Sequence, residues 1–356
     1  MKKVLFITRA YPPVVGGLEK LSYKMTTGVS KLTETYIIAN RKGKKNIPFF
    51  VPYAFLKSLF LIPIKKIDVI HVSDPVLSPL GFVLKKIFRK KVVTSIHGLD
   101  ITLDNKLYQM IISSFLKRLD KYICISEYVK NLALNYGLPN EKCIVIPIGV
   151  NPEDFILNEK NIKEKLSKET NIDLKNKKIL LSVGHLVERK GFRWFIENVM
   201  PKLSKNHVYL IIGGYGNMSK GNELETYKKL AFDKGVGDRV FLLGKVSDKI
   251  LKLAYNSADV FVMPNIKVEG DVEGFGMVAI EATSCGVPVI ASNLEGIKDA
   301  VKHNKNGVLV ESENVEEFIK ELSKNGELKR KGKSFREYTK ENYSWKKISE
   351  KYLESF

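Results

Sequence analysis

The chain alternates short, almost purely apolar β-branched runs with longer amphipathic stretches, and it does so twice. In the first half the runs are Val4–Thr8, Thr35–Ala39, Asp68–Val72, Val92–Ile96, Lys121–Ile125 and Cys143–Ile146. In the second they are Ile179–Val183, Val208–Ile212, Val240–Leu243, Val260–Met263, Pro288–Ala291 and Val308–Val310. Between them lie helical patterns such as Ser78–Phe88 and Glu127–Tyr136. Strands that are apolar on both faces and separated by helices belong to parallel sheets covered on both sides. At 356 residues the chain also exceeds one ordinary core. The expected fold class is therefore α/β, with two doubly wound Rossmann-like domains. A polar, Lys- and Glu-rich stretch between Pro147 and Lys178 marks the boundary, giving domains over 1–155 and 156–341. A helix is expected over Glu311–Asn325, where Asn314 and Glu317 have capping-box spacing.

Composition narrows the classes further. Apolar residues make up 44% and charged residues 28%, which excludes a largely disordered chain. Cys124, Cys143 and Cys285 lie too far apart for a C-x-x-C site, so small core residues in a reducing compartment are expected. The net charge of +20 is uneven: residues 1–150 carry +15 and residues 151–356 carry +5. Such a gradient points either to an anionic partner for the first half, be it nucleic acid, a phosphorylated substrate or a membrane surface, or to a generally lysine-rich composition. The basic clusters are Arg41–Lys45 and Lys85–Lys91, with Phe49, Phe50, Phe55 and Phe60 in what reads as a loop nearby. Together they suggest an anionic membrane surface, the alternative being that the aromatics are core and the lysines only solvated. The apolar run Phe49–Ile64 is read as interrupted by Pro52 and Pro63 and too short to span a bilayer. The N-terminus enters a strand at once, so no secretory leader is expected.

In open α/β sheets ligands gather at the carboxyl ends of strands, and the segments there carry the chemistry. Gly16-Gly17 follows the first strand and opens a helix, where backbone amides can approach phosphate. His97-Gly98-Leu99-Asp100 follows the fourth strand, and the remaining histidines are too scattered for a zinc site. Arg189 and Lys190 sit where a diphosphate could be clamped. Gly214-Tyr215-Gly216 continues to Ser219, where a dinucleotide fingerprint needs glycine, so an NAD site is poorly matched. The sharpest feature is Glu273-Gly274-Phe275-Gly276, followed after Met277-Val278-Ala279-Ile280 by Glu281. Its glycines precede a helix, and Glu281 lies among apolar neighbours where a carboxylate needs a partner such as a sugar diol. Glu269, Asp271 and Glu273 alternate, but no D-x-D pair accompanies them and no metal is expected.

The segments PPVVGGLEK, HGLDIT, GHLVERKG, GGYG and EGFGMVAIEATSCGVPVIAS, in this order, resemble the retaining glycosyltransferases of family 4. CISEYVKNL, IPIGVNPEDF and LAYNSADVFVMPN extend the resemblance to nearly the whole chain. It implies a GT-B fold with an interdomain cleft, an acceptor-side first domain, a donor-side second domain, and a closing helix at about 342–356 that returns to the first. By motif, Gly16 and Gly17 approach the diphosphate or sugar and His97 contacts the transferred sugar. Lys190 holds the diphosphate, Glu273 with the amides of Gly274, Phe275 and Gly276 lines sugar and phosphate, and Glu281 binds the ribose. His185 stands where the family commonly has Arg, so either Arg189 supplies that charge or Lys190 acts alone. The implied activity is transfer of a hexose-type sugar from a UDP- or GDP-sugar to a glycan or lipid-linked acceptor, with retention and no cofactor or metal. The implied setting is cytoplasmic, peripheral on the inner face of the membrane, in cell-envelope polysaccharide synthesis. A nucleotide-sugar epimerase of the same fold and a basic nucleic-acid-binding module are the rival readings. HGLDIT and the paired glutamates weigh against the first. The absence of an RNA-binding signature with paired aromatics weighs against the second, so no nucleic acid is expected.

Overall fold

The computed structural model describes residues 2–103, 105–214 and 223–356. They form two compact units, one of residues 1–149 with 343–356 and one of residues 150–342.

The first unit holds a six-stranded sheet: β1 (Val4–Thr8), β2 (Thr35–Ala39), β3 (Val69–Val72), β4 (Lys91–Ile96), β5 (Lys121–Cys124) and β6 (Cys143–Val145). The order is β2-β1-β3-β4-β5-β6 and every pairing is parallel. The chain leaves β1 to one side for β2 and returns to the other side for β3, so the switch point lies between β1 and β3. All five residues of β1 and all four of β3 are buried, as expected of strands covered on both faces. The closing helix Trp345–Ser355 packs against the helix Gly17–Ser30 within this unit. Lys91 and Lys121 donate to the carbonyls at Ser355, holding its end.

The second unit repeats the plan with β7 (Lys178–Val183), β8 (His207–Ile212), β9 (Val240–Gly244), β10 (Val260–Met263), β11 (Val289–Ser292) and β12 (Val308–Val310). Its order, β12-β11-β10-β7-β8-β9, puts the switch point between β7 and β10. Leu180, Tyr209, Ile211, Val262 and Ile290 meet Phe195, Ile196 and Phe318 in its core. Ser182 in β7 is buried there with its hydroxyl satisfied by Tyr209 and the Val262 carbonyl. All twelve strands lie within one residue of the positions read from the sequence.

Three local expectations are corrected. The segment with Phe49, Phe50, Phe55 and Phe60 is one helix, Ile47–Lys65, running through Pro52 and Pro63. A proline inside a helix costs about 3 kcal/mol locally. Burial of Phe50, Ala54 and Ile62 against the unit offsets that cost. Phe50 is therefore core and Phe55 half-buried, whereas Phe49 and Phe60 are exposed. With its preceding turn, Lys44–Lys65 is, by length and composition alone, long and apolar enough to cross a membrane, whereas the run Phe49–Ile64, read as interrupted by Pro52 and Pro63, is expected to be too short. Finally, the helix expected from Glu311 begins at Val315. Asn314 Oδ1 accepts the Glu317 amide, and the Glu317 carboxylate reaches back to the Glu311 amide.

Candidate functional site

In the second unit the switch point gathers charge. After β7 the chain makes the short turn Glu188–Lys190 and then Gly191, whose φ of 64° is the left-handed region. A Cβ there would lie 1.8 Å from the Pro264 carbonyl oxygen, so only glycine lets this turn pack against the end of β10. The turn aims Lys190 Nζ at Glu273 Oε2, 2.5 Å away. Arg189 contacts the same oxygen through Nη1 at 2.5 Å and holds Asp271 Oδ1 through Nε at 2.8 Å. From the end of β10, Asn265 Nδ2 donates to Glu273 Oε2 at 3.3 Å. The Glu273 amide donates to the Glu295 carboxylate, and its carbonyl accepts from Gly296 N at 3.0 Å. Burial alone would raise the Glu273 carboxyl, but Lys190 and Arg189 override it and hold it at about 2. Burial and the nearby Glu273 charge push Glu295 upward.

Gly276, with φ of 89°, caps the helix Met277–Ser284, so Gly274, Phe275 and Gly276 lie at its amino end. Glu281 lies on that helix, buried, and Tyr255 donates its hydroxyl to Glu281 Oε2 at 2.9 Å. The structure thus supplies a protein partner for this carboxylate. His185 is exposed, and Arg189 rather than His185 joins Lys190 on Glu273. Tyr215, Gly216 and Ser219 lie outside the described residues. Among the described residues no group of three acidic, His or Cys side chains could hold a metal ion. Asp271 and Glu273 turn to Arg189 instead.

In the first unit β1, β3 and β4 are neighbours, and their carboxyl ends share one sheet edge. Arg9 after β1 pairs with the fully buried Asp74 after β3, Nε to Oδ2 at 2.8 Å. His97 after β4 lies beside Ser73, its Nε2 3.1 Å from the Ser73 carbonyl oxygen. A carbonyl only accepts, so this contact selects the tautomer with the proton on Nε2 and leaves Nδ1, buried with no partner among the described residues, as an acceptor. Asp100 accepts the amides of His97 and Gly98 and fixes the loop. Burial nonetheless pushes the Asp100 carboxyl upward. Gly16 and Gly17 open the helix after β1. A Cβ on Gly16 would meet the Glu19 carboxylate at 2.1 Å, so Glu19 lies over this helix start.

The sequence reading singled out Arg189, Lys190 and Glu273, which the fold brings together, and Glu281, Gly16, Gly17 and His97, which lie apart: Glu281 on the helix Met277–Ser284, Gly16 and Gly17 at the start of the helix after β1, and His97 after β4. It passed over Arg9, Asp74, Asn265, Tyr255 and Glu295. Position directly after a strand would have singled out Arg9 and Asn265. Nothing local marks Tyr255, whose role comes from packing beside Glu281.

Residues 162–342 match the family described as glycosyl transferases group 1, and residues 4–154 match glycosyltransferase family 4. An uncharacterised glycosyltransferase of Methanocaldococcus jannaschii is 30% identical over 88% of this chain and 86% of its own length. A GDP-mannose-dependent α-(1-6)-phosphatidylinositol monomannoside mannosyltransferase of Mycobacterium tuberculosis is 38% identical over 38% of this chain and 35% of its own. The Anabaena protein HepE, solved in complex with UDP, superposes with a TM-score of 0.79 at 17% identity over 100% of this chain and 99% of its own. That last likeness concerns the fold, and it is the GT-B fold of two Rossmann-like domains.

Proposed function

This chain belongs to the group 1 and family 4 glycosyltransferases, and on that premise we propose that it is a retaining, metal-independent hexosyltransferase using a UDP- or GDP-sugar. The observation that carries the reading is the convergence of Lys190 and Arg189 on Glu273 beside the Gly276-capped helix. Two cations and a helix start at one strand end suit a diphosphate, whose charge competes with the carboxylate for them.

In the proposed reaction the bond between sugar C1 and the diphosphate oxygen breaks, and its electron pair leaves with the phosphate. The acceptor hydroxyl oxygen bonds to C1 on the same face, and its proton passes to the departing phosphate oxygen. Lys190, assisted by Arg189 and the amides of Gly274, Phe275 and Gly276, stabilises the charge that develops there. Glu273, released from its cations, turns to the sugar, and Glu281, already oriented by Tyr255, takes the ribose hydroxyls. His97 Nδ1 is an acceptor suited to a sugar hydroxyl, and Gly16 and Gly17 receive the donor's phosphate or sugar once the Glu19 carboxylate over Gly16 swings aside. The acceptor is a glycan or a lipid-linked glycan. The relative named for phosphatidylinositol monomannoside supports the lipid-linked case. The basic first half and three free cysteines support a cytoplasmic location against an anionic membrane.

A thermal-shift panel of UDP, GDP and ADP tests the donor. One nucleotide at about 100 times its dissociation constant should add about 2.7 kcal/mol, and Lys190→Ala should abolish that gain. No shift with any of the three refutes the nucleotide-sugar reading. The anomeric configuration of the product, read by proton NMR, tests retention, and a chelator should leave turnover intact.

A further inference from the structure

The outer face of the helix Ile47–Lys65 is as apolar as its inner one. Phe50, Ala54, Ser58 and Ile62 face the unit and are buried. On the opposite side Phe49, Tyr53, Leu56, Phe60 and Ile64 form a single stripe, with Phe49 75%, Phe60 69% and Ile64 70% exposed. Their spacing of three to four residues keeps them on one face along the helix's length of about 28 Å. An ordinary covering helix presents polar side chains to water, and a contiguous apolar patch of this kind marks a contact surface. The patch continues sideways. The helix Ser78–Phe88 packs between Ile47–Lys65 and Lys106–Leu116, and these neighbours expose Ile87 and Leu107, Met110, Ile111 respectively. Among the described residues, every exposed large hydrophobic side chain but Phe232 belongs to the first unit.

Charge identifies the occupant. The three helices contain no Asp or Glu. Lys57 on the stripe's flank folds over the Tyr53 ring, its ammonium 5.5 Å from the centroid and hydrogen-bonded to the Tyr53 hydroxyl. Lys65 lies over Tyr36, and Lys86 and Arg118 lie over Phe82. Long cationic side chains stretched along apolar surface place charge at the level of phosphate headgroups while their stems and the rings enter the acyl boundary. A transmembrane placement would tear the buried inner face off the unit, so the helix lies along the surface.

We infer that Ile47–Lys65 seats in the plane of an anionic bilayer, with Phe49, Tyr53, Leu56, Phe60 and Ile64 immersed and Lys57 and Lys65 on headgroup phosphates. The inference rests on the reading of the first unit as membrane-facing and gives that reading its surface and mode of attachment.

The test is co-sedimentation of the full chain with vesicles of phosphatidylcholine alone and of equal parts phosphatidylcholine and phosphatidylglycerol. Wild type should pellet with the mixed vesicles at about 0.1 M salt and keep part of that binding at about 1 M, where screening shortens to about 3 Å and apolar insertion remains. The triple variant Phe49→Ser, Leu56→Ser, Phe60→Ser should bind at least about tenfold more weakly at both salts, because the immersed area is gone. The double variant Lys57→Gln, Lys65→Gln should weaken binding only at low salt. A triple variant that pellets like wild type, or a wild type that ignores mixed vesicles at low salt, overturns the inference. So does a wild-type dimer in sedimentation velocity that the triple variant converts to monomer, since a second copy would then cover the stripe. The nucleotide thermal shift, measured in parallel, should be the same in wild type and triple variant. Vesicle binding without any nucleotide shift would refute the donor reading and leave this one standing.

Discussion

After β1 the first unit places Arg9, which pairs with Asp74 after β3; after β7 the second places Arg189 and Lys190, which meet Glu273 beside Asn265 after β10. Both units thus bridge their switch point with ions, but they distribute the rest of their charge and apolar surface differently. The second concentrates Arg189, Lys190, Asp271, Glu273 and Glu295 at one strand end, and among its described residues Phe232 alone is an exposed large hydrophobic. The first keeps a compact pair at the strand end and spreads lysines and exposed aromatics over its outer helices. One doubly wound plan can therefore gather charge at its sheet edge in one copy and leave apolar side chains exposed on its outer layer in the other. The sheet requires only that the inner faces of the helices be apolar.

Acid should separate the units most. His71 in β3 is buried against Phe6, Tyr352 and Phe356 with Nε2 3.0 Å from Ser95 Oγ, and burial, with His97 nearby, lowers it from 6.5 to about 3. Between those values the unfolded chain binds a proton that the folded unit does not. The first unit should hold full stability above pH 6.5 and lose up to about 5 kcal/mol as pH falls toward 3. Glu273 is lowered from 4.5 to about 2, so its contribution to the second unit, about 3 kcal/mol, is present above pH 4.5 and lost below it. Trp345 belongs to the first unit and Trp194 to the second. Fluorescence of Trp194→Phe and Trp345→Phe variants should show the Trp345 signal changing at the higher pH. Coincident transitions would erase the distinction.

Catalysis gives the next largest contrast. Lys190→Ala and Glu273→Ala should each cut turnover at least about a hundredfold, about 2.7–4 kcal/mol. Near-normal turnover of either would remove that residue from the chemistry. Glu281→Ala should weaken nucleotide binding by about 1.5–3 kcal/mol in calorimetry and change bond-breaking less. Unchanged affinity would end the ribose assignment. Smallest of all, Phe60→Ser on the outer stripe should alter the melting free energy of the first unit by no more than about 0.5 kcal/mol without lipid. A larger loss would mean that the stripe is part of the core after all.

Every strand was legible from the sequence, because continuous burial on two faces leaves β-branched runs that local reading detects. The paired glutamates and the Arg189-Lys190 turn were legible for a related reason: glycines flank them where backbone must approach backbone, as at Gly191 against Pro264. The helix through Pro52 and Pro63 was misread because proline's cost is local, whereas the burial of Phe50, Ala54 and Ile62 that outweighs it is tertiary. The phenylalanines there could not be sorted into core and surface until the helix phase was known. The partnership of Tyr255 with Glu281 joins residues 26 positions apart, and Arg9 with Asp74 joins two strands. Composition and periodicity fix which runs form the buried strands of the two sheets. Which charges meet at a strand end depends on strand order, and strand order is settled only when the sheets assemble.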